Sequence, residues 1–123
     1  MNTQKSEAFT RFLDQRAADI QKAVVQLNED HRIDEANFEK IRANIFQQVI
    51  KTVFLALQRT PRTEQELRAL MDGRLVMFEE TWKGSLAKAR EHNDEKRILQ
   101  EEVKLEALKE IRQKFEELWE VPV

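Results

Sequence analysis

"IFQQVIKTVFLAL", residues 45–57, decides how the helices of this chain must pack, because it is apolar around more than half of its circumference. On a helical wheel at about 100° per residue, its apolar side chains form two adjacent rows. Together the rows cover on the order of 220°, whereas an ordinary surface helix buries a stripe of roughly 100°. We therefore expect this helix to contact two neighbouring helices, or one helix and another protein. The first row is Ile41, Ile45, Val49, Val53 and Leu57, and the second is Phe46, Ile50 and Phe54.

Three breaks divide the chain into four helical stretches. Pro61 stops the second stretch, and Thr63 with Glu66 forms the capping box that opens the third. The pattern predicts an all-α fold, an antiparallel up-down-up-down four-helix bundle, in a single domain of residues 1–123. The alternative is a three-helix bundle in which the last break is absent and a long C-terminal helix runs through it. The breaks are "NEDHRID" (28–34), "RTPRTEQEL" (59–67) and "REHNDEKR" (90–97), and the last helix ends before "VPV" (121–123).

The composition excludes several classes of protein. Lysine and arginine (21) nearly balance aspartate and glutamate (23), whereas a dedicated nucleic-acid binder is more often basic. There is no cysteine, which removes disulfides, thiolate metal sites and thiol nucleophiles. No stretch approaches the roughly 18 apolar residues of a membrane helix, and the start of the chain lacks an apolar signal core. We expect a cytoplasmic protein that binds neither nucleic acid nor membrane.

No set of residues suggests a reaction or a cofactor. The two histidines, His31 and His92, lie near breaks and lack the Glu-x-x-His spacing of di-iron bundles. Ser6 and Ser85 have no nucleophile-elbow context, and the two glycines are too far apart to cradle a phosphate. We expect no enzyme, no metal site and no cofactor.

Gly73 and Gly84 lie on one flank of the third helix, beside Leu70 and Met77. Each glycine costs up to about 1 kcal/mol relative to alanine in a helix interior. Two interpretations stay open: a kink or break at each glycine, or the close approach of another helix.

Several charged residues lie on or beside the apolar stripes. Their long side chains can reach the bundle edge or pair across it, and simple registry about Pro61 places Arg42 level with Glu80. The alternative is a polar pocket for an anionic small molecule, since buried charge is costly unless it is matched. The candidate pocket residues are Arg16, Arg42, Arg74, Glu80, Glu101 and Arg112.

Four helices cannot readily cover the whole apolar arc of the second helix. Exposed apolar patches usually mark an interface, and a closed twofold dimer is the commonest way to cover one. The leading hypothesis is a protein that acts by protein–protein interaction as a homodimer, and the alternative is a ligand-binding or regulatory bundle. The candidate interface residues are Ile50, Phe54, Leu55 and Leu57 of the second helix with Leu70, Gly73, Met77 and Gly84 of the third.

Overall fold

A computed structural model describes residues 3–120, and these residues form four long helices without a strand. The predicted all-α four-helix bundle is confirmed. The third and fourth helices are separate, so the alternative with one continuous C-terminal helix is wrong. The prediction that the last helix ends before residues 121–123 falls on residues outside the described part of the chain. The first helix is Gln4–Glu29, the second comprises Ile33–Asn44, Ile45–Lys51 and Thr52–Leu57, the third is Glu64–Glu91, and the fourth is Glu95–Glu120.

Side chains and left-handed residues set the helix ends. The Thr63 hydroxyl accepts a hydrogen bond from the Glu66 backbone N–H at 3.1 Å, which is one half of the predicted capping box. The Glu66 carboxylate accepts from the Arg62 backbone N–H at 2.8 Å, so the reciprocal half does not form as predicted. Two residues after the last residue of the first and of the third helix, the backbone has positive φ, at His31 (60°) and Asn93 (52°). In each case the next backbone N–H bonds to a carbonyl five residues back, which is the Schellman arrangement that reverses the chain.

The middle of the second helix, Ile45–Lys51, is π-helical rather than α-helical. In an α-helix, residues four apart drift by about 40° at each step. The i→i+5 hydrogen bonds of a π-helix widen the turn, so each residue rotates less and a row spaced by four stays aligned. Phe46, Ile50 and Phe54 form such a row, and all three are fully buried. The apolar arc is therefore narrower than the sequence indicates.

The helices do not pack as a simple square of sequential neighbours. The second and fourth helices are in contact and run parallel. Arg42 contacts Glu106 and Phe54 contacts Phe115, so residue numbers increase in the same direction along both helices. The first helix lies antiparallel to both. The third helix packs along the fourth and approaches the second only near the connection, at Thr52–Leu57. The outer side of the third helix therefore faces no other helix of the described chain.

Aromatic side chains form the core at the end of the bundle that contains Pro61. The Phe9 ring lies 4.8 Å from that of Phe54 and 5.2 Å from that of Phe115, both in edge-to-face geometry. Trp119 stacks on Phe115, and its indole N–H donates to the Glu64 carbonyl at 3.2 Å. This bond ties the end of the fourth helix to the start of the third.

Candidate interaction surface

One side of the third helix is exposed and partly apolar, and we call it the outer face. The inner side turns Leu67, Met71 and Leu75 into the core at spacings of four residues. Residues on the opposite side of the same turns therefore point to solvent. Leu70 is 41% exposed and Met77 is 44% exposed. The outer face is Leu70, Gly73, Met77 and Gly84, four of the residues that the sequence assigned to an interface.

Nothing in the described part of the chain requires glycine at either position of the outer face. The third helix is continuous from Glu64 to Glu91, so a break at Gly73 or Gly84 is wrong, and a kink at either glycine stays a prediction. Neither residue has positive φ, and a Cβ added at either would meet no atom within 4 Å. Close approach of another helix of the same chain is therefore wrong as well. Close approach by a separate molecule stays a prediction.

Four charged side chains flank the outer face: Glu66, Arg74, Glu80 and Lys88. All four are exposed, and none forms an ion pair with any residue between 3 and 120. Most other charges of the third helix form ion pairs within the described residues, whereas Glu91 at the end of the helix forms none. Arg68 contacts Asp72 and Glu120, and Lys83 contacts Glu79 at 2.8 Å.

The second-helix part of the predicted interface is largely wrong. Ile50 and Phe54 are fully buried, and Leu57 is half-buried against the core. The first and fourth helices cover this side because the π-helical segment brings its apolar rows into line. Leu55 is 44% exposed, but it lies beside the first helix, in a cleft with Arg11 and Asp14. It is therefore not continuous with the outer face.

The predicted polar pocket does not form, because its residues lie at separate places. Arg74 and Glu80 are exposed on the third helix. Arg42 contacts Glu39 and Glu106, each at 3.3 Å, so the predicted Arg42–Glu80 pair is wrong. Such a pair needs the second helix to pack along the third, whereas the second helix packs on the first and fourth.

Arg16 and Arg42 do share one seam, between the first, second and fourth helices. Arg16 donates two hydrogen bonds to Glu110, at 2.6 and 3.0 Å, and its guanidinium lies 5.3 Å from the centre of the Phe46 ring. The Glu110 carboxylate raises the pKa of Arg16. These two arginines and their three glutamates, Glu39, Glu106 and Glu110, form a charge network that already holds its counterions.

Glu101 is buried, with only 3% of its side chain exposed. One carboxylate oxygen accepts from Lys104 at 3.1 Å, and the other has no hydrogen-bond partner among residues 3–120. The Lys104 ammonium also lies over the Trp82 ring, 5.8 Å from its centre. Glu101 is thus matched within the fourth helix, away from the network of Arg16 and Arg42.

Arg112 lines an open groove of about 580 Å³ between the third and fourth helices. Arg112 pairs with Glu79. The positive charges of Lys83 and Arg112 lower the pKa of the Glu79 carboxyl. Lys83, Lys109 and Arg112 supply the positive charge of the groove, and Glu79 and Glu116 supply the negative charge.

Sequence reasoning missed a cleft of about 300 Å³, lined by both apolar and charged side chains, between the starts of the second and fourth helices. Phe38, Ile41 and Leu99 form its apolar lining, and Leu99 is 48% exposed. The cleft opens because these two helices are neighbours although they are not consecutive. No pattern in the sequence indicates that pairing.

Among residues 3–120, no helix is both long enough and apolar enough to cross a membrane. In that same range, no three histidine, aspartate or glutamate side chains cluster so that they could hold a metal ion. Comparison with protein-family models, with curated proteins and with solved structures finds no match.

Proposed function

We propose that this chain acts by protein–protein interaction and associates with a second copy of itself through the outer face of the third helix. The observation that carries the proposal is the exposure of Leu70 and Met77 on a helix side that no other described helix covers. Burial of apolar side chains is the main favourable term in protein association. The proposal gives the chain a binding role and assigns it no reaction.

The two glycines support this location of the interface. Each lowers the intrinsic stability of the third helix, by up to about 1 kcal/mol, and no described residue contacts the Cβ position in compensation. A glycine lets the backbone of a partner helix approach closely. An interface at Gly73 and Gly84 therefore supplies the reason for glycine that the isolated chain lacks.

Light scattering over a range of concentrations tests the proposal. Wild-type protein should show the mass of a dimer, and Met77→Glu should show that of a folded monomer, since a charge would be placed in the apolar centre of the interface. Val25→Glu is the matched control, because Val25 is 57% exposed but lies on the first helix. A wild type that stays monomeric throughout, or equal effects of the two substitutions, would contradict the proposal.

Binding of an anionic small molecule is a second candidate, and the groove beside Arg112 favours it. This groove has one more cationic than anionic side chain among its lining residues. A ligand that binds only the folded state must raise the melting temperature. A thermal-shift screen with inorganic phosphate and anionic metabolites should then find a ligand whose effect is lost in Lys109→Gln. No shift with any of these compounds would argue against the groove.

A further inference from the structure

We infer that the two copies pair their third helices antiparallel, with the two Met77 side chains at the twofold axis. This inference rests on the proposed function and adds the identity, direction and register of the partner. It follows from how charge and side-chain size are distributed along the outer face.

Four charges of the outer side of the helix are antisymmetric about Met77, whereas Glu91 at the end of the helix is level with Thr63 and has no opposite charge. Arg74 and Glu80 lie three residues to either side of it, and Glu66 and Lys88 lie eleven residues to either side. In an antiparallel pair centred on Met77, each of these charges is level with an opposite charge of the partner helix. In a parallel pair with the same centre, each is level with an identical charge. Electrostatic complementarity therefore favours the antiparallel pair and disfavours the parallel one.

Side-chain size follows the same symmetry. Leu70 and Gly84 lie seven residues to either side of Met77, which is close to two helical turns. Antiparallel pairing thus places Leu70 of each copy level with Gly84 of the other. Gly73 of one copy is level with Thr81 of the other, so a small residue faces another small residue there.

This self-complementarity identifies the partner as a second copy. In a twofold interface the same patch occurs on both subunits, so residue i contacts residue j and residue j contacts residue i. A pattern that is complementary to its own reverse meets that requirement. A different partner protein would not require the outer face to be antisymmetric about any residue.

Cysteine crosslinking tests the direction directly, because the natural chain contains no cysteine. The variants are Met77→Cys, Glu66→Cys and Lys88→Cys, all at exposed positions. The reagent is a bismaleimide with a span of about 10 Å, which matches the 8–10 Å between the axes of packed helices. Products are identified by mass spectrometry, and Val25→Cys on the first helix measures random collision.

An antiparallel pair should crosslink Met77→Cys with itself and Glu66→Cys with Lys88→Cys in a mixture. Glu66→Cys alone should not crosslink above the Val25→Cys background, since its two copies would lie about 33 Å apart along the axis at 1.5 Å per residue. Crosslinking of Glu66→Cys alone would show a parallel pair and overturn the inference while the proposed function stands. Crosslinking of Met77→Cys only would also overturn it, through a different register. No crosslink at Met77→Cys would contradict the proposed function itself.

Discussion

Arg74 and Glu80 lie three residues to either side of Met77, both exposed, and neither forms an ion pair with another described residue. The sequence suggested that both belong to an interior polar site, and Glu80 was expected to pair with Arg42. Their position on the outer face makes them available to another molecule instead. If that molecule is an antiparallel second copy, Arg74 of each copy is level with Glu80 of the other across the interface.

Charge reversal at these two positions should affect association without affecting the fold. Arg74→Glu and Glu80→Arg should each weaken dimerisation, since each places like charges level with one another. Exposed pairs contribute about 0.2–1 kcal/mol, and each occurs twice in the dimer, so the loss should be between about twofold and thirtyfold in Kd. The double variant Arg74→Glu with Glu80→Arg should recover the wild-type Kd. Sedimentation equilibrium measures all four proteins, and a double variant weaker than both single variants would contradict the account.

Alanine at Gly84 should have opposite effects on the fold and on association. The helical φ and the empty space around the Cβ position allow alanine to raise the free energy of unfolding by about 0.5–1 kcal/mol. The same methyl group should weaken the dimer, because it occupies the space that Leu70 of the second copy would fill. Urea unfolding of dilute protein and light scattering of concentrated protein measure the two effects. Tighter association of Gly84→Ala would show that this face is not a close helix contact.

Phe54 and Leu55 are consecutive residues that should differ sharply in their contribution to stability. Phe54→Ala removes a fully buried ring and should lower the free energy of unfolding by about 3–5 kcal/mol. Leu55→Ala alters a side chain that is 44% exposed and should cost less than about 1 kcal/mol. Urea unfolding measures both. Comparable small losses would mean that the second helix is not covered within the monomer.

The π-helical segment should tolerate the loss of one residue. Removal of Gln48, which is exposed, lets the segment close as an α-helix while Ile50 and Phe54 keep their direction toward the core. Removal of Ala18, exposed in the middle of the first helix, rotates every later residue of that helix by about 100° and should unfold the protein. Circular dichroism melting curves compare the two deletions. Equal destabilisation would exclude this view of the segment.

The helix pattern and the breaks were predictable from the sequence because they depend on local chemistry. Pro61 cannot continue a helix, and Thr63 caps the next one through its own side chain. The exposure of Leu70 and Met77 was predictable for a similar reason, since the wheel of a regular helix places both outside the stripe that contains Met71 and Leu75.

The errors came from assumptions about geometry that no local signal corrects. A uniform rotation of 100° per residue overestimated the apolar arc of the second helix, because Ile45–Lys51 is π-helical. Sequential packing paired Arg42 with Glu80, whereas Arg42 contacts Glu106 of the fourth helix. Which non-consecutive helices pack together depends on the summed fit of whole helix surfaces, so a single residue pattern does not reveal it.

The methyl signals of Met71 and Met77 test the central claim most directly, because the two residues lie on opposite sides of the third helix. Met71 is fully buried and Met77 is 44% exposed. With methyl-labelled methionine, NMR spectra recorded from micromolar to millimolar protein should show a Met77 signal that shifts with concentration and a Met71 signal that does not. A Met77 signal that stays constant over this range, with the tumbling time of a monomer, would contradict self-association through the outer face.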